Sequence, residues 1–272
     1  MPGAGLRPVS RGASCEPLPA GVTVFMHLPA DYDGKVPVKL SFTDASGKEI
    51  RGFTLPVVNK KTGKPEQKLH PGMNRFQWDL HYPNAVDVKG IYESPHSQGP
   101  KAPVGPEVLP GTYYAVFSYA NATQKQSFEV KLDRRLPTTQ AELQQRFDLL
   151  MRIRDSIGRL DTALNEAIDA RSALEKAVAG KKVSDRQAQK ALASLNHDID
   201  QLIDLRIQSD EGSLVYAGQL RAWLSWLASE VSASFLPPTP AMASAANTYI
   251  AQEHEGVARL HADAKSADQM MH

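Results

Sequence analysis

Met73-Asn74-Arg75-Phe76-Gln77-Trp78-Asp79-Leu80, entered through Pro71-Gly72 and left through His81-Tyr82-Pro83, decides how the rest of the chain is read. Side chains of a strand alternate between two faces. Here Asn74, Phe76, Trp78 and Leu80 share one face and Met73, Arg75, Gln77 and Asp79 the other. Three large apolar groups on one face need a second layer to cover them. The stretch therefore predicts a central strand of a small β-sandwich, with Phe76, Trp78 and Leu80 in its core.

The same alternation recurs on both sides. Val22 to Leu28 places Val22, Val24 and Met26 together; Val36 to Thr43 places Val38, Leu40 and Phe42 together. Asp44-Ala45-Ser46-Gly47 supplies turn residues, and Lys48 to Leu55 returns as the hairpin partner. Thr112 to Tyr119, the bend at Asn121-Ala122-Thr123, and Gln124 to Leu132 form a second hairpin. Six strands with turn signals between them predict an immunoglobulin- or fibronectin-like β-sandwich over residues 21–132. Residues 1–20, rich in Pro, Gly and Ala without a period, read as a disordered arm.

Beyond the hinge at Asp133 to Pro137 the period changes to three and four. Thr139 and Glu142 spell a capping box. Leu143, Phe147, Leu150, Ile153, Ile157, Leu160, Leu164, Ile168, Leu174 and Val178 then mark one face of a helix of about 40 residues, some 60 Å long. Arg171 interrupts that stripe and is expected to snorkel or to pair with Asp200 or Asp204. Three further stripes follow, around Leu192 and Ile199, around Leu220 and Leu224, and from Met242 to Leu260. Short links between four stripes predict an antiparallel four-helix bundle over 138–268. Trp223 is expected near its core and Trp226 toward its rim.

The 272 residues carry a formal net charge of +1, unevenly spread. Residues 1–137 hold 17 basic against 12 acidic side chains, and residues 138–272 hold 14 against 18. The opposite signs favour contact between the two parts, and neither is basic enough to imply nucleic acid. Cys15 is the single cysteine, so no internal disulfide forms. Residues 1–20 lack an apolar run of roughly 7–15 residues, so no signal peptide is expected. No stretch of about 18 apolar residues is present, so no membrane span is expected.

Candidate chemistry is sparse. Asp79, Glu93 and Glu107 are carboxylates around the long segment between Pro83 and Pro110. A glycosidase needs two carboxyl groups roughly 5–10 Å apart with one pKa raised. Nothing in this spacing enforces that, so no catalytic residue is assigned. None of the eight histidines forms H-E-x-x-H, and there is no cysteine partner for zinc, so no metal or cofactor is expected. His81, Tyr82, Tyr92 and His96 flank or sit in the long loop, whose length suggests a functional segment. Aromatic groups beside an open loop can stack on sugars, which makes these four the candidate ligand-binding residues. The competing and preferred reading packs the loop on the sandwich edge or on a partner.

Asn74-Arg75-Phe76-Gln77-Trp78-Asp79-Leu80-His81-Tyr82-Pro83 resembles the N-R-F-x-W-D-L-R-Y-P segment near the C-terminus of large bacterial proteins with BNR-repeat, sortilin-like β-propellers, often labelled glycosyl hydrolases. Leu109-Pro110-Gly111-Thr112-Tyr113, Ala141 to Asp148, Glu211 to Tyr216 and Leu220 to Leu224 are similar to the same region, in the same order. His81 stands where that pattern has arginine, and the propeller itself is absent. The resemblance implies a non-catalytic accessory module that packs on a β-propeller domain or a separate partner protein, in a periplasmic or secreted setting. A carbohydrate-binding module using the 81–110 loop, with a glycan as partner, is the alternative; a glycoside hydrolase is the weakest.

Overall fold

The computed structural model describes residues 21–58, 63–89, 105–181, 183, 185–207 and 215–271. The expected arm 1–20, together with Tyr92, Glu93 and His96, lies outside the described residues. The protein is mixed α+β, with two small antiparallel sheets followed by four helices among the described residues. β1 (Val22–Leu28) pairs with β4 (Gly72–Trp78), Val22 opposite Trp78 and Leu28 opposite Gly72. The other sheet has the order β3-β2-β5-β6, from β2 (Val38–Thr43), β3 (Glu49–Leu55), β5 (Gly111–Tyr119) and β6 (Ala122–Val130).

The β2–β3 turn forms because the Asp44 carboxylate accepts from the Ser46 and Lys48 amides while Gly47 takes φ +88°. Phe42 then opposes Arg51 while Thr43 opposes Glu49, leaving Ile50 as the extra residue of a bulge. The bulge turns Ile50 into the core, at 6% exposure.

One core draws on both sheets: Met26 and Leu28, Trp78, Val38, Leu40 and Phe42, Leu55, and Tyr113 and Ala115. Trp78 is 1% exposed and stacks on Phe42, with centroids 4.2 Å apart and planes at 22°. Its indole N–H donates to the His81 carbonyl at 3.1 Å, so the buried polar edge is satisfied. Phe76 lies on the same face but only half-buried, 4.7 Å from Phe53. Leu80 is also half-buried: it falls past the strand end and takes φ 65°, which turns the chain away. Asn74 is buried on that face because its amide donates to the carbonyls of His70 and Gly72, and its oxygen accepts from the His70 amide.

α1 (Gln140–Ala179) is 40 residues long. Thr139 caps it, with its hydroxyl accepting from the Glu142 amide and the Glu142 carboxylate accepting from the Thr139 amide at 2.8 Å. α2 (Asp185–Leu202), α3 (Leu220–Ser232) and α4 (Pro240–Met271) follow. The Thr239 hydroxyl caps α4 by accepting from the Met242 amide, and Pro240 fills the first position, where a missing amide costs nothing. All four helices line a second core, which includes Ile153, Leu164, Leu195, Leu224 and Leu260. Arg171 bonds to Asn196 rather than to Asp200 or Asp204.

The expected unit 21–132 is crossed by this packing, since Val88 is buried in the helical core and Ala85 packs against it. Asn165 of α1 holds the segment by donating to the Asp87 carbonyl at 3.0 Å and accepting from the Lys89 amide at 2.6 Å, and the Lys89 ammonium reaches Asp169. Among the described residues, no helix is long and apolar enough to cross a membrane.

Candidate functional site

The sequence places its ligand candidates where β4 ends. Residues 80–82 run antiparallel to 106–108, with the Val108 amide donating to Leu80 and the Tyr82 amide to Pro106. His81 faces Glu107 across this short ladder, and its Nδ1 lies 2.7 Å from the Asp79 carbonyl. The Tyr82 ring is half-buried against Phe147 of α1, centroids 5.3 Å apart. Burial, its largest influence, raises the pKa of the phenol. Tyr82 is thus a packing residue between sheet and helix rather than an open platform. Tyr92 and His96 lie outside the described residues. Asp79 is exposed and accepts from the His81 amide, the part of a turn residue.

Two charged clusters sit among the helices, announced by no linear motif but only by charged residues on apolar stripes. Arg221 of α3 donates from Nε and Nη2 to the two carboxylate oxygens of Asp161 on α1, at 2.7 and 2.8 Å. Burial pushes the Asp161 carboxyl above its usual range, against the pull of Arg221. Glu253 of α4, fully buried, accepts from the Ser156 hydroxyl at 2.9 Å and from Arg159 at 2.7 Å. A void of about 10 Å³ beside Arg221, under Ile203 and Ile207, has space for one water at most. Both clusters join helices, Arg221 of α3 to Asp161 of α1 and Glu253 of α4 to Ser156 and Arg159 of α1. Among the described residues, no group of three His, Cys, Asp or Glu is placed to hold a metal.

The surface features are of a different kind. Trp223 corrects the expectation of a core residue: it is 41% exposed, and Trp226 is 60% exposed. Their rings lie 5.6 Å apart on the outer side of α3, and the Trp223 indole donates to the Gly218 carbonyl. The reason is angular. The buried stripe of α3 is Leu220, Arg221, Leu224, Ala228 and Val231, and Trp223 sits one residue off it, about 100° round the helix. Val215, just before α3, is 74% exposed. Exposed apolar groups that adjoin, as the two indoles do, mark an interaction surface more often than scattered ones.

A groove of about 410 Å³ opens between the sheets and the helices. Val108, Leu109, Val130, Leu143, Phe147 and Leu150 are among its apolar walls. Arg146 stands in it, donating to the carbonyls of Val231 and Ser232 at the end of α3, with Phe235 5.2 Å from its guanidinium carbon. Burial lowers the Arg146 pKa, while the Glu107 carboxylate favours the charged form.

No family model, curated protein or solved structure matches this chain.

Proposed function

We propose that this chain is a non-catalytic accessory module that packs on a β-propeller domain or a separate partner protein, in a periplasmic or secreted setting. The two sheets are read as a sandwich of immunoglobulin or fibronectin type, and the helices as an antiparallel four-helix bundle. The observation that carries the reading is the exposed Trp223–Trp226 pair on α3. Large aromatics give up much apolar area on association and are enriched at the centres of interfaces. Their neighbours on the inner face of α3 are committed to the core, so this outer face is free for a partner. The β4 segment that resembles propeller-associated proteins supports the class of partner.

The test has two stages. DNA flanking the coding segment is searched for propeller repeats, and that propeller is purified and mixed with residues 1–272. Co-elution on gel filtration that Trp223→Ala and Trp226→Ala abolish supports the proposal. No neighbouring propeller, co-elution indifferent to both substitutions, or glycosidase turnover by the purified chain overturns it.

A further inference from the structure

The groove between sheets and helices differs from an ordinary packing defect in how its charges are used. Asp133 is clasped by Arg135, with Nε at 3.0 Å and Nη2 at 2.5 Å, and Lys131 reaches Glu129 at 3.0 Å. The other two charged lining residues, Arg146 and Glu107, attract each other across the groove without forming a close ion pair. Arg146 commits Nε and Nη2 to carbonyls of α3, leaving Nη1 unused, and Glu107 belongs to the opposite wall. Among the described residues, neither meets an opposite charge within 4.0 Å. A cation and an anion thus stand apart over a mainly apolar floor, in a volume typical of ligand sites.

We propose that this groove binds a short apolar peptide with free ends. Its carboxylate sits on the Nη1 hydrogens of Arg146, its ammonium on the Glu107 carboxylate, and its side chains against Val108, Leu143, Phe147 and Leu150. The two charges argue for a zwitterion over a fatty acid. A fatty acid would satisfy Arg146 but set a second carboxylate facing Glu107 and displace the attraction between Glu107 and Arg146, which is costly. The peptide satisfies both. Because the groove is walled by the sheet end and by the first turns of α1, an occupant would also touch both parts of the chain.

Calorimetric titration of the full chain with Leu-Ala-Leu is expected to saturate. Acetylating the peptide's amine or amidating its carboxylate is each expected to weaken binding about tenfold, or about 1.4 kcal/mol. In Glu107→Gln the effect of acetylation vanishes, and in Arg146→Gln the effect of amidation vanishes. The Glu107→Gln arm stays decisive if loss of the Arg146 bonds to α3 unfolds the second variant, which thermal melts report. No saturation by about 10 mM, equal binding of blocked and free peptides, or binding of octanoate without the peptide overturns the assignment.

Discussion

Arg221 and Asp161 meet fork to fork between α3 and α1, with neither side chain more than 1% exposed. Breaking such a buried pair by removing one partner typically costs about 3–5 kcal/mol, the exposed Asp87 carboxylate 3.9 Å from Arg221 being the weaker contact. Arg221→Met and Asp161→Leu are each expected to destabilise the chain by that amount in urea unfolding. The double variant is expected to recover most of the loss, because an apolar pair of similar volume needs no desolvation. A double variant no more stable than the worse single one would show that the pair holds the helices in register.

Trp78→Ala is expected to cost about 3–5 kcal/mol, the usual range for a fully buried aromatic. Phe76→Ala, on the same face but half-buried, is expected to cost less. Denaturant midpoints of the two variants, measured side by side, check the order.

Trp223→Ala and Trp226→Ala are expected to leave stability within about 0.5 kcal/mol, as exposed positions do. Acrylamide is expected to quench most of the fluorescence that these two contribute and little of that from Trp78. A Trp226→Phe variant whose quenching equals that of the parent would place the indole inside the molecule instead.

Acid is expected to weaken the fold through named carboxylates. The side-chain bonds from Arg135 hold Asp133 down to about 2, and bonds from Arg206, Ser46 and Thr139 lower Asp204, Asp44 and Glu142 respectively. Groups depressed in the folded state stabilise it above their unfolded values of 3.8 to 4.5, and that contribution is lost as pH falls through the folded values. Asp161 runs the other way, since its raised pKa lets the folded state take up a proton first. Melting temperatures recorded from pH 7 to about 2 are expected to drop along this limb, and less steeply in Glu142→Gln.

Tyr113 sets the alkaline limit. Burial pushes its phenol up to about 12, and its hydroxyl donates to the Leu109 carbonyl at 2.6 Å. The neutral phenol stabilises the fold fully below the unfolded value of 10.0, and that contribution is lost as pH rises toward about 12. Absorbance titration is expected to show a late-ionising component, to which the raised Tyr82 and Tyr32 also contribute, and Tyr113→Phe is expected to remove the part nearest 12.

The alternation of Asn74, Phe76 and Trp78 and the stripes of α1 and α4 were legible because burial on one face writes a period into the chain. Leu80 packs against the sheet core as the period implies, half-buried, but its left-handed backbone places it past the end of the strand. Trp223 departs from its expected place near the core because helical angle, not aromatic size, decides which face is covered. The internal charges were the larger omission. Arg221 falls three residues before Leu224 and seven before Ala228, and Asp161 follows Leu160 on the buried face of α1, so each sits on an apolar stripe. Ionic groups of opposite sign on stripes of two helices are a readable hint of a buried pair, although one chain does not say which two will meet. The groove has no linear signature at all, since its walls come from residues 106 to 235.

The strap formed by Ala85 to Lys89 along α1 has a consequence for cleavage. Val88 is seated among the helices, and Asn165 grips the backbone on either side of it. A protease nick made between Lys89 and Gly105 would therefore yield two fragments that stay together until denatured. Co-expressing 1–89 with 105–272 should reconstitute a complex from severed halves.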